Sequence, residues 1–189
     1  LPESVVDGGK AAKVGIAPTF VALDAVRPWV RPQGPLFLFG QNVAAQEEGA
    51  FTGEVNPELI RDAGGSYCIV GHSERRTLMH ETDKEVNLKV KSLIGGCIVP
   101  IICVGETLAE RQALDTMNVV RGQVMRAYAG IEPEAAARTV IAYEPVWAIG
   151  TGLNATAQDA QAVCRAIRDT VRYIYDDTTA DSVRILYGG

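Results

Sequence analysis

The chain has 189 residues, 47% hydrophobic and 22% charged, the balance of an ordinary globular domain with enough length for one sizeable core. No run approaches the roughly 18 uninterrupted apolar residues of a membrane helix, and the start, Leu-Pro-Glu-Ser, lacks the basic and apolar segments of a signal peptide, so a cytoplasmic protein is expected. Eighteen Lys and Arg against 23 Asp and Glu give a net charge of −5, which argues against nucleic acid as a partner and leaves local dipoles to attract any anionic ligand.

In chain order, apolar and β-branched runs predict strands at 13–17, 36–41, 66–71, 98–104, 139–143 and 182–187. They are near-continuously apolar rather than alternating, the mark of a parallel sheet covered by helices. Between them, Asn56-Pro57 supplies an N-cap followed by proline at the first helical position. Thr82 with Glu85, and Thr156 with Asp159, have capping-box spacing. These signals predict helices at 83–95, 107–128 with an interruption, 133–138 and 157–175. Six successive β-α steps leave an open doubly wound sheet or a barrel. The strand starts advance by about 34 residues per step, so eight steps would need about 270 residues, near the roughly 250 of a (β/α)₈ barrel.

Cys68, Cys97, Cys103 and Cys164 form no C-x-x-C pair, and His72 and His80 are the only histidines. Disulfide and zinc scaffolds are therefore set aside. No metal site and no cofactor are expected.

Functional groups of parallel α/β folds collect just after the strand ends. After the fifth strand comes Glu144, flanked by Tyr143 and Pro145 and followed by Trp147. Desolvation there would make it a stronger base than a carboxylate in water; the plainer alternative is a solvated loop glutamate. After the third strand comes His72, able to donate a hydrogen bond or shuttle a proton, although an isolated histidine is more often a satisfied core residue. Ser73 and Glu74 follow it and could orient a ligand or a helix. No G-x-S-x-G elbow is present, which disfavours serine-dependent acyl transfer. Gly150, Gly152, Gly188 and Gly189 lie in exit loops, where glycines let backbone N–H groups approach an anion or simply form turns. The stretch containing Pro145, Val146, Trp147, Ala148, Ile149 and Thr151 has the make-up of a mobile lid. Cys103 is expected to be a small packing residue, and Arg75, Arg76 and Glu81 to form ion pairs.

Five strings together resemble the triosephosphate isomerase family: Gly49-Ala-Phe-Thr-Gly-Glu54, Val70-Gly-His-Ser-Glu-Arg-Arg76, Cys103-Val-Gly-Glu106, Ala142-Tyr-Glu-Pro-Val-Trp-Ala-Ile-Gly-Thr-Gly152 and Tyr187-Gly-Gly189. The resemblance covers essentially the whole chain. It implies a cofactor-free (β/α)₈ TIM barrel that interconverts dihydroxyacetone phosphate and D-glyceraldehyde 3-phosphate in glycolysis and gluconeogenesis. Glu144 would be the base and a neutral His72 the electrophile, with Ser73 and Glu74 in support. Gly150, Gly188 and Gly189 would bind the substrate phosphate under the lid. The family is typically a homodimer in which the loop carrying Phe51 and Thr52 enters the neighbouring active site.

The resemblance also implies a single barrel domain over 1–189 that is truncated at both ends, with about six of eight β-α units. The family's Asn-x-Lys string, source of a substrate-binding lysine, has no match before Lys13, which puts the activity of this stretch on its own in question. Two competing expectations are a truncated, non-catalytic relative serving as a folding or interaction module, and a barrel isomerase for another sugar phosphate.

Overall fold

The computed structural model describes residues 6–7, 10–30, 34–46 and 49–188. A short antiparallel hairpin, β1 (Val6–Asp7) with β2 (Lys10–Ala11), precedes the main sheet; the sequence pattern does not predict it. The main sheet has six parallel strands: β3 (Val14–Ile16), β4 (Leu36–Gly40), β5 (Gly65–Val70), β6 (Val99–Val104), β7 (Val140–Tyr143) and β8 (Arg184–Tyr187). Every one overlaps a predicted strand. Their spatial order follows the chain without reversal. A doubly wound sheet reverses its strand order at a switch point; this one does not, so its winding is that of a partial (β/α)₈ barrel.

Side chains alternate across the sheet as strand geometry requires. Cys68, Val70, Ile102, Val104, Ile141 and Tyr143 belong to the core cluster shared with the covering helices. Tyr67, Ile101 and Val140 instead line a cavity with Phe37, Phe39 and Leu186. The covering helices are α2 (Pro57–Asp62), α4 (Asp83–Gly95), α6 (Thr116–Ala127) and α8 (Ala157–Ile174). They contribute Ile60, Val86, Val90, Leu93, Val120, Val124, Val163, Ile167 and Val171 to the core. Burying each such side chain contributes about 1.5–3 kcal/mol.

The caps form as the sequence predicts. Asn56 Oδ1 accepts from the Leu59 N–H at 2.9 Å. The Thr82–Glu85 and Thr156–Asp159 boxes are both closed in each direction. The predicted interruption of 107–128 separates α5 (Leu108–Gln112), with its own Thr107–Glu110 box, from α6. Leu114, at φ 59°, makes the break. The segment predicted at 133–138 is the shorter α7 (Pro133–Ala136). Three α-helices have no sequence prediction: α1 (Leu23–Val26), α3 (Ser73–Leu78) and α9 (Asp177–Ser182). Of the cysteines, Cys68 and Cys103 are buried, but Cys97 is exposed because it terminates α4 at φ 58° rather than entering β6.

Candidate active site

The exit of β5 turns sharply at Gly71, whose φ is +70°. A Cβ there would be strained by that φ and would crowd Arg76 Nη2 and Val86 Cγ2 at 3.0 Å, so the turn favours glycine. The Gly71 N–H donates to Glu81 Oε1 at 3.0 Å. Glu81 also accepts from Lys89 Nζ at 2.6 Å and from Arg75 Nε at 2.7 Å, and Lys89 reaches Asn42 Oδ1 at 2.8 Å. A buried acid thus ties the β5 exit to the β4 exit. The expected pairing of Arg75 with Glu81 is present; Arg76 pairs with Asp83 at 2.6 Å.

Immediately after this turn, His72 is the N-cap of α3: its Nδ1 accepts from the Glu74 N–H at 3.3 Å. Accepting there requires a lone pair on Nδ1, which puts the ring proton on Nε2. Nε2 lies 3.2 Å from Oε1 of Glu144. The other carboxylate oxygen, Oε2, accepts from the Ser73 N–H at 3.3 Å. Ser73 therefore acts through its backbone, and it is buried. The Glu74 carboxylate, largely exposed, sits 3.7 Å from Nδ1.

Glu144 is the first residue after β7. Its N–H donates to Val104 O at 2.8 Å, which extends the β6–β7 ladder by one bond. Its side chain is 12% exposed. Cys103, at the end of β6, is packed beside it. Burial, then the negative charge of Glu144 and a hydrogen bond to it, push the Cys103 thiol well above its ordinary value. Cys103 is a packing residue, as expected, but one that touches the candidate base.

The segment after Glu144 is anchored from below. Trp147, in a 3₁₀ turn over Val146–Ala148, donates from Nε1 to Glu106 Oε1 at 2.8 Å. Glu106 is fully buried, and Tyr143 OH stands 3.2 Å from each of its oxygens. Burial first, then the Glu106 charge, raise the Tyr143 phenol far above its usual value. Arg111 brings its guanidinium within 3.7 Å of Glu106 and 4.1 Å of the Trp147 ring centre. Beyond Ile149, Gly150 and Gly152 have φ +68° and +78° with nothing crowding them. The chain here needs glycine for its backbone direction, not for space. Thr151 Oγ1 donates to Trp147 O at 2.9 Å.

The other expected residues divide. The Gly188 N–H donates to Tyr143 O at 3.0 Å, which draws the β8 exit against the β7 exit; Gly189 lies outside the described residues. Phe51 and Thr52 sit in an exposed turn closed by Glu54 N–H to Phe51 O at 3.0 Å. They are remote in sequence from His72, but a cavity of about 340 Å³ beside His72 is lined by Gln41, Asn42, Glu74, Leu78 and Met79. Sequence reasoning missed Arg111 and the Glu81–Lys89 pair. The Cys103-Val-Gly-Glu106 string at a strand exit was the available signal for the anchor. Among the described residues no group of His, Cys, Asp and Glu could hold a metal ion, and no helix is long and apolar enough to cross a membrane.

The triosephosphate isomerase family model matches residues 3–189. The chain is 45% identical over 178 residues to the triosephosphate isomerase of Caldanaerobacter subterraneus subsp. tengcongensis, covering 94% of this chain and 71% of that one. It is 47% identical over 183 residues to that of Chlorobium luteolum, covering 97% and 72%. It is 47% identical over 185 residues to that of Pelobacter propionicus, covering 98% and 73%. The strand winding, the glutamate and histidine at their strand exits, and these matches agree: the chain belongs to the triosephosphate isomerase family.

Proposed function

We propose that this chain catalyses the family's reaction, the interconversion of dihydroxyacetone phosphate and D-glyceraldehyde 3-phosphate, and that Glu144 and His72 perform it. The observation that carries the reading is the 3.2 Å approach of His72 Nε2 to Glu144 Oε1 at adjoining strand exits. The family is itself the standard case of a glutamate base beside a neutral histidine electrophile. Glu144 takes a proton from the carbon next to the substrate carbonyl. The His72 Nε2–H donates to the carbonyl oxygen, where negative charge develops, and an enediolate forms. The hydroxyl proton of the first carbon passes to the former carbonyl oxygen by way of His72, and Glu144 returns its proton to the former carbonyl carbon. One carbon is oxidised as its neighbour is reduced, so no external electron carrier is needed.

Before substrate arrives, one Glu144 oxygen accepts from the Ser73 N–H and the other stands 3.2 Å from His72 Nε2. Substrate must therefore take over the His72 proton and free the carboxylate. The lid residues Pro145, Val146, Trp147, Ala148, Ile149 and Thr151 would close over the enediolate and exclude water, limiting loss of phosphate. Gly150, Gly188 and Gly189 would bind the phosphate, Gly150 through its N–H, since the Gly188 N–H is already engaged by Tyr143 O. Ser73 supports the base through its N–H, and the Glu74 N–H, donating to Nδ1, orients the His72 ring. A homodimer in the cytoplasm fits the exposed turn at Phe51 and Thr52, which would enter a partner's cavity beside His72.

A coupled assay with each triose phosphate tests this reading. Turnover by the chain that Glu144→Gln lowers about 10²–10⁴-fold supports it and excludes a non-catalytic module. Preference for a five-carbon over a three-carbon phosphate would overturn the substrate assignment.

A further inference from the structure

One side chain outside the catalytic pair is bound to the backbone that seats the base. Gln123, on α6 beside the Val120–Val124 core positions, makes two hydrogen bonds to a single residue. Its Oε1 accepts from the Gly105 N–H at 2.8 Å, and its Nε2 donates to the Gly105 C=O at 3.1 Å. A primary amide gripping both polar groups of one residue fixes that residue's position and orientation together.

Gly105 in turn lies flush against the catalytic strand exit. A Cβ built on it would fall 1.7 Å from Glu144 O and 2.8 Å from Glu144 C, so only glycine can occupy the position. Its neighbours bracket the same site. Val104 O accepts the Glu144 N–H at 2.8 Å, and Glu106 holds Trp147. Three consecutive residues therefore position the base's backbone and its lid anchor, and Gln123 holds the middle one.

We infer that Gln123 is a positioning residue for Glu144, acting through Gly105 to hold the carboxylate in line with His72 Nε2. The inference rests on the reading of Glu144 as the base. A backbone shift at Gly105 would pass to Glu144 because no gap separates them, and the carboxylate would leave the His72 line. The lid itself stays anchored, because Trp147 keeps its bond to Glu106.

The test uses the full chain with Gln123→Met, nearly isosteric but unable to make either bond, and Gln123→Glu, which keeps the acceptor but sets a second oxygen against the Gly105 carbonyl. We expect kcat to fall by roughly ten- to a hundredfold, the scale of an ångström-level misplacement, with KM within about twofold. The His72 Nε2 resonance, followed by nitrogen NMR, should also move, because it reports contact with Glu144 whether or not the chain turns over. An inactive wild-type chain would sink the reaction assignment, and the NMR arm would still decide the positioning role. Should Gln123→Met not fold, Gln123→Glu decides alone. Wild-type kcat and an unmoved His72 signal in a folded variant would overturn the inference. So would losses that merely track the amount of folded protein.

Discussion

His72 Nε2 and Glu144 Oε1 lie 3.2 Å apart, although 71 residues of chain, spanning β6 and its helices, separate them. Parallel winding makes this possible: β5, β6 and β7 are neighbours, so their C-terminal ends open onto one surface. On the account above, that contact is a resting state which substrate must break.

Removing the base should therefore affect chemistry more than binding. Glu144→Gln keeps the shape and a hydrogen-bonding oxygen but cannot accept a proton from carbon. We expect kcat to fall about 10²–10⁴-fold, the contribution typical of a positioned general base, with KM little changed. Steady-state kinetics check this; equal losses in both parameters would point to a disordered site instead.

The Trp147–Glu106 contact should govern the lid. Trp147→Phe preserves the ring over Arg111 but removes the indole N–H, leaving a fully buried carboxylate short of a donor. Loss of a buried partner costs about 1–3 kcal/mol, visible in a thermal melt. A looser lid should also raise the fraction of turnovers that end in release of inorganic phosphate, measurable by a phosphate assay.

Acid should weaken the brace behind His72. Burial alone would raise the Glu81 carboxyl, but the bonds from Lys89 and Arg75 outweigh it and hold the group below its ordinary value. A group depressed in the folded state contributes stability that is present above its unfolded value and lost as pH falls through the folded one. The melting temperature should thus drop on acidification below the ordinary glutamate value of about 4.3. Glu81→Gln should flatten that part of the curve. It should also cost about 3–5 kcal/mol at neutral pH, since Lys89 remains buried without its counter-charge.

The end of α4 offers a gain. The Ile98 N–H bonds Leu93 O at 2.9 Å and the Cys97 N–H bonds Ile94 O at 3.1 Å, a helix stop that favours glycine at the left-handed position. Cys97 occupies it at φ 58°. Cys97→Gly should stabilise the chain by about 0.5–1 kcal/mol, raising the melting temperature without altering kinetics.

The strands and main helices were legible because their determinants are local. Runs such as Val-Pro-Ile-Ile-Cys-Val can only be buried, and Thr82, Thr107 and Thr156 satisfy the first N–H groups of the helices they precede. The choice between barrel and doubly wound sheet was not local, since the two differ only in strand order. Helix α3 escaped notice because its N-cap is His72 rather than Ser, Thr, Asp or Asn. Glu144 and His72 stood out by position at strand ends. Gln123 did not: a glutamine beside an apolar helix stripe looks like any surface residue until the fold brings Gly105 against it. The same holds for Lys89 and for the burial of Glu81, which depend on packing between α4 and the β4 and β5 exits.

The most direct measurement of the central claim is isomerisation in heavy water, with deuterium in the product located by NMR. If Glu144 carries a proton between adjacent carbons, deuterium enters at the carbon next to the carbonyl, and Glu144→Gln loses incorporation and turnover together. Isomerisation at the unreduced rate in Glu144→Gln, or deuterium entering at any other carbon, would contradict the account.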